Sequence, residues 1–158
     1  MSTLAALAVS LPLETLKPGD RLTTEGSYSG RLYLLEAGRL AVSRDGVAIA
    51  TIDEPWAIVG EMAVLLGTPH SATVTAETEA RVRVIDEALD VLQQTPDFAL
   101  HIATLACARL NATSALLVDL RHAATGKKQE QALMSRILTA MLATPKVTGR
   151  AGKWADHE

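Results

Sequence analysis

Between residues 16 and 85, short runs of Leu, Val and Ile alternate with turn-forming clusters: "KPGD", "EGSYSG", "EAG", "RDG", "DEP" and "GTP" recur every several residues. Gly, Pro, Asp and Ser in such clusters supply the backbone angles that tight turns need, so the spacing predicts many short strands. In "RLYLLEAGRLAVSRDGVAIATI" the pair Asp45-Gly46 stands between Leu40/Val42 and Val47/Ile49, the sequence form of a tight hairpin. The segment "SATVTAETEARVRVID" alternates with period two. Ala72, Val74 and Ala76 fall on one face and Thr73 and Thr75 on the other; Val82 and Val84 then oppose Arg81 and Arg83. This alternation predicts a half-buried antiparallel sheet.

After Ile85 the period changes from two to that of a helix, and nothing strand-like follows. "DEALDVLQQTPD" predicts a helix that stops before Pro96, because proline disfavours helical geometry in the residue before it. A long helix is predicted from Asp97 to about Arg121, with two apolar stripes. One stripe holds Phe98, Ile102, Leu105, Ala112 and Leu116. The other holds Ala103, Ala106, Leu110, Thr113, Leu117 and Leu120, and its three-and-four spacing is the seam pattern of paired helices. One stripe can cover the β-domain while the other meets a partner, or both can be intramolecular core. After the break "TGKK", "KQEQALMSRILTAML" predicts a further amphipathic helix through Leu133, Ile137, Leu138 and Met141, and the tail "ATPKVTGRAGKWADHE" reads as frayed. The expected organisation is an α+β domain over residues 1–124 and a short helical extension over 125–158.

Composition narrows what such a chain can do. Its 158 residues are 48% hydrophobic and 21% charged, the profile of one soluble globular domain with an appendage. Aromatics make up only 3%, so a base-stacking surface for single-stranded nucleic acid is not expected. A net charge of −3 provides no basic field to concentrate DNA or anionic lipid. The single cysteine, Cys107, excludes a disulfide framework, a multi-cysteine zinc site and a four-thiolate cluster. The apolar N-terminal run "MSTLAALAVSLPLE" lacks a basic leader and is too short to span a bilayer, so it reads as a packing segment. A cytoplasmic location is expected, with no membrane partner.

The stretch that carries chemistry is "IVGEMAVLLGTPHSATVTA", residues 58–76. A junction of strand, Gly60, Glu61 and a short helix exposes backbone N–H groups and a partial positive charge at Glu61, Met62 and Ala63. A carboxylate there accepts hydrogen bonds from sugar hydroxyls while it repels a phosphate. A ligand carrying both groups, a nucleotide, suits the arrangement. The alternative for a Gly-Glu pair is an ordinary helix cap.

"GEMAVLLGTPHSATV" resembles the phosphate-binding cassette of the cyclic nucleotide-binding domain family. "LKPGDRLTTEGSYSGRLYLLEAGRLAVSRDG" is similar to that family's leading strands, including the Pro-Gly-Asp turn, the Glu-Gly pair and the Leu-Tyr-Leu-x-x-x-Gly step. The resemblance covers roughly residues 14 to 121. It implies an antiparallel β-roll flanked by helices, with a long C-terminal dimer helix. It also implies that Glu61 binds the ribose 2'-hydroxyl and that backbone amides at Met62, Ala63, Ser71 and Ala72 meet the cyclic phosphate. Where the family has an arginine this chain has His70. Guanidinium is always charged and forks onto two phosphate oxygens, whereas imidazole offers one donor and is largely neutral at pH 7. His70 is read either as a weakened phosphate contact or as a solvated loop residue. "RLNATSALLVDL" is similar to the segment of the catabolite activator group that meets the adenine, which maps Thr113 and Ser114 onto the purine contact. Thr113 alternatively bonds back to its own helix.

The resemblance implies a homodimeric cyclic nucleotide sensor, cAMP favoured and cGMP possible, that signals to an unknown protein partner through its C-terminal helices. No cofactor, metal or enzymatic activity is expected: nothing in the cassette pairs a nucleophile with a base or spaces metal ligands. The residues after Ala124 leave no room for the DNA-reading module of the catabolite activator group, so a stand-alone sensor is expected. The alternative is a degenerate, ligand-free interaction module.

Overall fold

The computed structural model describes residues 3–123 and 128–142. These divide into two compact units, the first ending at Phe98 and the second beginning at Ala99.

The first unit opens with α1 (Thr3–Val9), whose Ala8 is buried, and continues into eight strands: β1 (Leu13–Leu16), β2 (Arg21–Thr23), β3 (Leu32–Ala37), β4 (Leu40–Arg44), β5 (Val47–Ile52), β6 (Ile58–Val59), β7 (Thr73–Ala76) and β8 (Ala80–Ile85). A short helix α2 (Glu61–Leu66) lies between β6 and β7, and α3 (Ala88–Gln94) follows β8. The strands form two four-stranded antiparallel sheets, ordered β1-β8-β3-β6 and β2-β7-β4-β5, which together make the β-roll. One apolar cluster draws on both sheets. Leu16, Tyr33, Leu35, Val59, Ala80, Val82 and Val84 come from the first, and Leu22, Leu40, Val74 and Ala76 from the second.

The period-two alternation of the sequence places these residues. In β8, Val82 and Val84 are buried while Arg81 is exposed. Arg83 is only half-buried, because its guanidinium pairs with Glu36 at 3.1 Å and donates to the Leu11 carbonyl at 3.0 Å. The Asp45-Gly46 hairpin joins β4 to β5, with φ of 51° and 75° at the two turn residues, the left-handed pair that a two-residue hairpin requires. The Glu25 carboxylate accepts the Asp45 N–H at 3.0 Å and holds the turn from outside. β5 is a sheet edge, and its Val47 and Ile49 are exposed although the sequence reads them as hairpin apolars.

The second unit is helical. The helix α4 (Pro96–Ala123) crosses the boundary, and α5 (Lys128–Leu142) follows. Both agree with the helices predicted from periodicity. Of the first predicted stripe, Phe98 and Ile102 are buried, Leu105 is half-buried, and Ala112 and Leu116 are exposed. The predicted seam is exposed at Ala103, Ala106, Leu110, Thr113 and Leu120 and half-buried at Leu117. In α5, Leu133 and Ile137 are exposed. The side chains of Leu138 and Met141, the "TGKK" break up to Lys127 and the tail from Ala143 lie outside the described residues.

Candidate functional site

The cassette occupies the connection from β6 to β7. Strand β6 ends at Val59, Gly60 turns the chain, and α2 starts at Glu61. Gly60 adopts φ 94°, a left-handed conformation that side chains disfavour. A Cβ there would lie 2.8 Å from the Arg31 carbonyl oxygen, closer than atoms pack. The glycine is therefore required by the approach of the chain itself, before any ligand is considered. α2 ends on Gly67 at φ 63°, whose backbone N–H bonds the Ala63 carbonyl.

The strand-side half of the cassette is held by a loop far away in sequence. His70 donates its backbone N–H to the Ser27 carbonyl at 2.7 Å and accepts from the Gly26 N–H at 2.9 Å. Thr23 Oγ1 donates to the Ala72 carbonyl at 3.2 Å, and the Glu25 N–H donates to Thr73 Oγ1 at 3.0 Å. His70 is 6% exposed, and its Nε2 shares a hydrogen bond with Ser29 Oγ at 3.1 Å. Ser29 Oγ also accepts the Arg31 N–H at 3.3 Å. Desolvation by burial pushes the His70 pKa below its ordinary value, so the ring is neutral at pH 7. The solvated-loop alternative for His70 does not agree with its burial and its bond to Ser29.

These two halves border an open cavity of about 80 Å³, lined by Thr23, Val59, Gly60, Glu61, Met62, Ala63, His70, Ser71, Ala72 and Val74. Seven of the nine residues singled out from the sequence line it. The other two, Thr113 and Ser114, belong to α4 in the second unit and are not among the lining residues. Thr113 Oγ1 donates to the Arg109 carbonyl at 2.8 Å, the back-bond to its own helix. Sequence reasoning missed Thr23, Val59 and Val74 in the lining and Ser29 behind it. The run of small hydroxyl residues in "TTEGSYSG" was the available signal, and it read only as a turn.

A profile of the cyclic nucleotide-binding domain matches residues 13–94, just over half of the chain. The chain belongs to the cyclic nucleotide-binding domain family. It is 35% identical over 81 residues to a cAMP-dependent protein kinase regulatory subunit of Eremothecium gossypii, a match covering 51% of this chain and 18% of that protein. A solved cAMP-binding acyltransferase from Mycobacterium smegmatis is 34% identical with a TM-score of 0.55, covering 70% of this chain and 36% of that one. A cyclic nucleotide-binding domain from Methylobacillus flagellatus, 22% identical, shares the fold with a TM-score of 0.63, covering 78% of this chain and 73% of that chain. The chain thus spans well under half the length of the regulatory subunit and of the acyltransferase. The match at residues 13–94 includes all seven of the lining positions expected from the sequence.

Proposed function

We propose that this domain is a regulatory sensor that takes a cyclic nucleotide, cAMP in preference to cGMP, in the cassette pocket and acts by binding alone. The observation that carries the reading is that Gly60, Glu61, Met62, Ala63, His70, Ser71 and Ala72 line one cavity. In this reading the Glu61 carboxylate accepts from the ribose 2'-hydroxyl. The first-turn N–H groups of α2 and those of Ser71 and Ala72 face the cyclic phosphate.

The occupied state passes to a protein partner through α4 and α5, and the chain pairs with a second copy through the α4 seam. That pairing accounts for the exposed Leu110 and Leu120, since an apolar stripe left in water favours association. α4 is long and apolar enough, by length and composition alone, to cross a membrane. Arg109 stands inside its apolar stretch, and a charge at mid-bilayer costs about 2.5 to 3.5 kcal/mol, so helix pairing in the cytoplasm is the better account.

A second reading, a ligand-free interaction module, is favoured by one observation: the lining contains no lysine or arginine. Titration calorimetry of the full chain with cAMP, cGMP and linear AMP separates the two. Saturable binding of cAMP, stronger than that of AMP, supports the sensor. Absence of binding by any of the three at millimolar concentration supports the module.

A further inference from the structure

One hydrogen bond ties the cassette to a side chain outside it. Ser29 Oγ lies 3.1 Å from His70 Nε2, across 41 residues of sequence. Backbone bonds bring the two together: the Gly26 N–H donates to the His70 carbonyl at 2.9 Å, and the His70 N–H donates to the Ser27 carbonyl at 2.7 Å. Ser29 Oγ also accepts the Arg31 N–H at 3.3 Å, which orients the hydroxyl. Ser29 is exposed where His70 is buried, so the hydroxyl lies on the water side of this bond.

The chemistry of that partner decides what the imidazole can do. A hydroxyl donates to the bare Nε2 of one neutral tautomer, and accepts from the Nε2–H of the other tautomer or of the imidazolium. A carboxylate in its place would favour the charged ring, and an obligate donor the neutral one. The charged groups of the neighbouring segments have partners of their own. In the loop that carries Ser29, the Glu25 carboxylate accepts the Asp45 N–H, the Arg31 guanidinium pairs with Asp86 at 2.7 Å, and the Tyr28 phenol is exposed. On the cassette side Glu61 lines the same cavity and is engaged in an interaction of its own. Burial, and none of these charges, is what lowers the His70 pKa.

We propose that Ser29 is a positioning residue that keeps His70 able to change charge in place: its hydroxyl serves the ring in both protonation states, so the cassette gains a positive charge on acidification without rearrangement of the loop. The consequence rests on the reading of the cassette as a cyclic nucleotide site, because the charge gained faces an anionic ligand. The role of Ser29 itself is measured on the free protein.

Proton–nitrogen correlation spectra of the imidazoles in the full chain, with His70 assigned through His70→Gln, read the titration directly. Ser29→Thr retains a hydroxyl and is expected to retain the His70 pKa. Ser29→Ala removes it, and the pKa is expected to fall further, because the charged ring loses the stronger hydrogen bond. Ser29→Asp supplies a carboxylate and is expected to raise it. A serine that only shaped the loop would change the thermal midpoint and not this order. Equal His70 pKa values in folded Ser29→Asp and Ser29→Ala overturn the inference.

Titration calorimetry with cAMP on the same four proteins, between about pH 5 and 8, reads the consequence. The position of the rise in affinity along the pH axis, and not the absolute affinity, is the readout. It is expected to lie highest in Ser29→Asp, lower and together in the unsubstituted chain and Ser29→Thr, and lowest in Ser29→Ala. An identical pH dependence in all four overturns the inference and leaves the sensor reading standing. Absence of cAMP binding at every pH overturns the sensor reading, and the spectra then still decide the role of Ser29.

Discussion

Residues 58–76 and residues 99–123 are both rich in small aliphatic side chains, yet they are packed in opposite ways. In the first region Ile58, Val59, Ala63, Val64, Val74 and Ala76 are buried, and a remote loop is bonded along its strand-side half. In the second, Ile102 is the only buried residue from Ala99 to Ala123. The difference follows from where the backbone finds its hydrogen bonds. A helix satisfies its N–H and C=O groups locally, so α4 forms without covering its apolar side chains. A strand-turn-strand connection cannot do so, and must recruit partners from elsewhere in the chain. Recruiting residues 23–29 is also what buries His70 beside the cavity. One region is therefore packed within the chain, and the other leaves most of its apolar side chains exposed.

The largest expected effect tests the helix. Light scattering is expected to find the full chain dimeric at micromolar concentration, and the double substitution Leu110→Glu, Leu117→Glu to make it monomeric without unfolding the β-roll. A monomeric unsubstituted chain sinks the seam.

Glu61→Gln tests the cassette as a site. Loss of a charge-assisted hydrogen bond to the ribose is expected to weaken cyclic nucleotide binding by about 1.5 to 3 kcal/mol, with the thermal midpoint nearly unchanged. Unaltered affinity removes Glu61 from the site.

Gly60→Ala tests it as a fold element. The left-handed backbone and the 2.8 Å approach to the Arg31 carbonyl are expected to cost about 1 to 3 kcal/mol of stability. The thermal midpoint should fall even without ligand. If it does not move, the chain tolerates a side chain there and the steric account of Gly60 fails.

His70→Arg is expected to tighten cyclic nucleotide binding by about 1 to 2 kcal/mol, the gain of a charge-assisted contact, and to flatten its pH dependence. In the unsubstituted protein a bound anion facing His70 is expected to raise its pKa from the depressed value, so that binding takes up a proton. Affinity therefore rises as pH falls from about 8 toward 6, by at most tenfold per unit, and the depressed starting value carries the rise below pH 6.5. Calorimetry in buffers of different ionisation enthalpy measures the uptake, and none at pH 7 would remove His70 from the phosphate.

The smallest effect concerns the free protein. A folded-state pKa below the unfolded value means that the unfolded chain binds more protons. The stability associated with neutral His70 is therefore present above about pH 6.5 and is lost as pH falls through the depressed value. Thermal midpoints across pH 5 to 8 should show that loss, and His70→Gln should reduce it. An identical profile in the variant assigns the acid sensitivity elsewhere.

Much of this molecule is determined by short-range pattern. The period-two run from Ala72 to Ile85, the Asp45-Gly46 hairpin and the switch to helical period before Pro96 each report a local preference. The structure follows them because those preferences and the tertiary core agree. Gly60 and Glu61 were legible as a turn into a helix for the same reason. What pattern cannot carry is contact between distant segments. That His70 sits buried against Ser29 and that Thr23 completes the lining depend on β2 and its following loop lying beside residues 70–73, and that the Arg31 carbonyl excludes a side chain at Gly60 depends on β3 pairing with β6. Such pairing is fixed by antiparallel ladders between strands about fifty residues apart. The amino-acid sequence alone thus determined the elements, the cassette and the charge of its neighbourhood. Only the tertiary structure decided which side chains meet in the cavity and that its histidine is desolvated, because burial and long-range hydrogen bonding belong to the packed chain and to no segment of it.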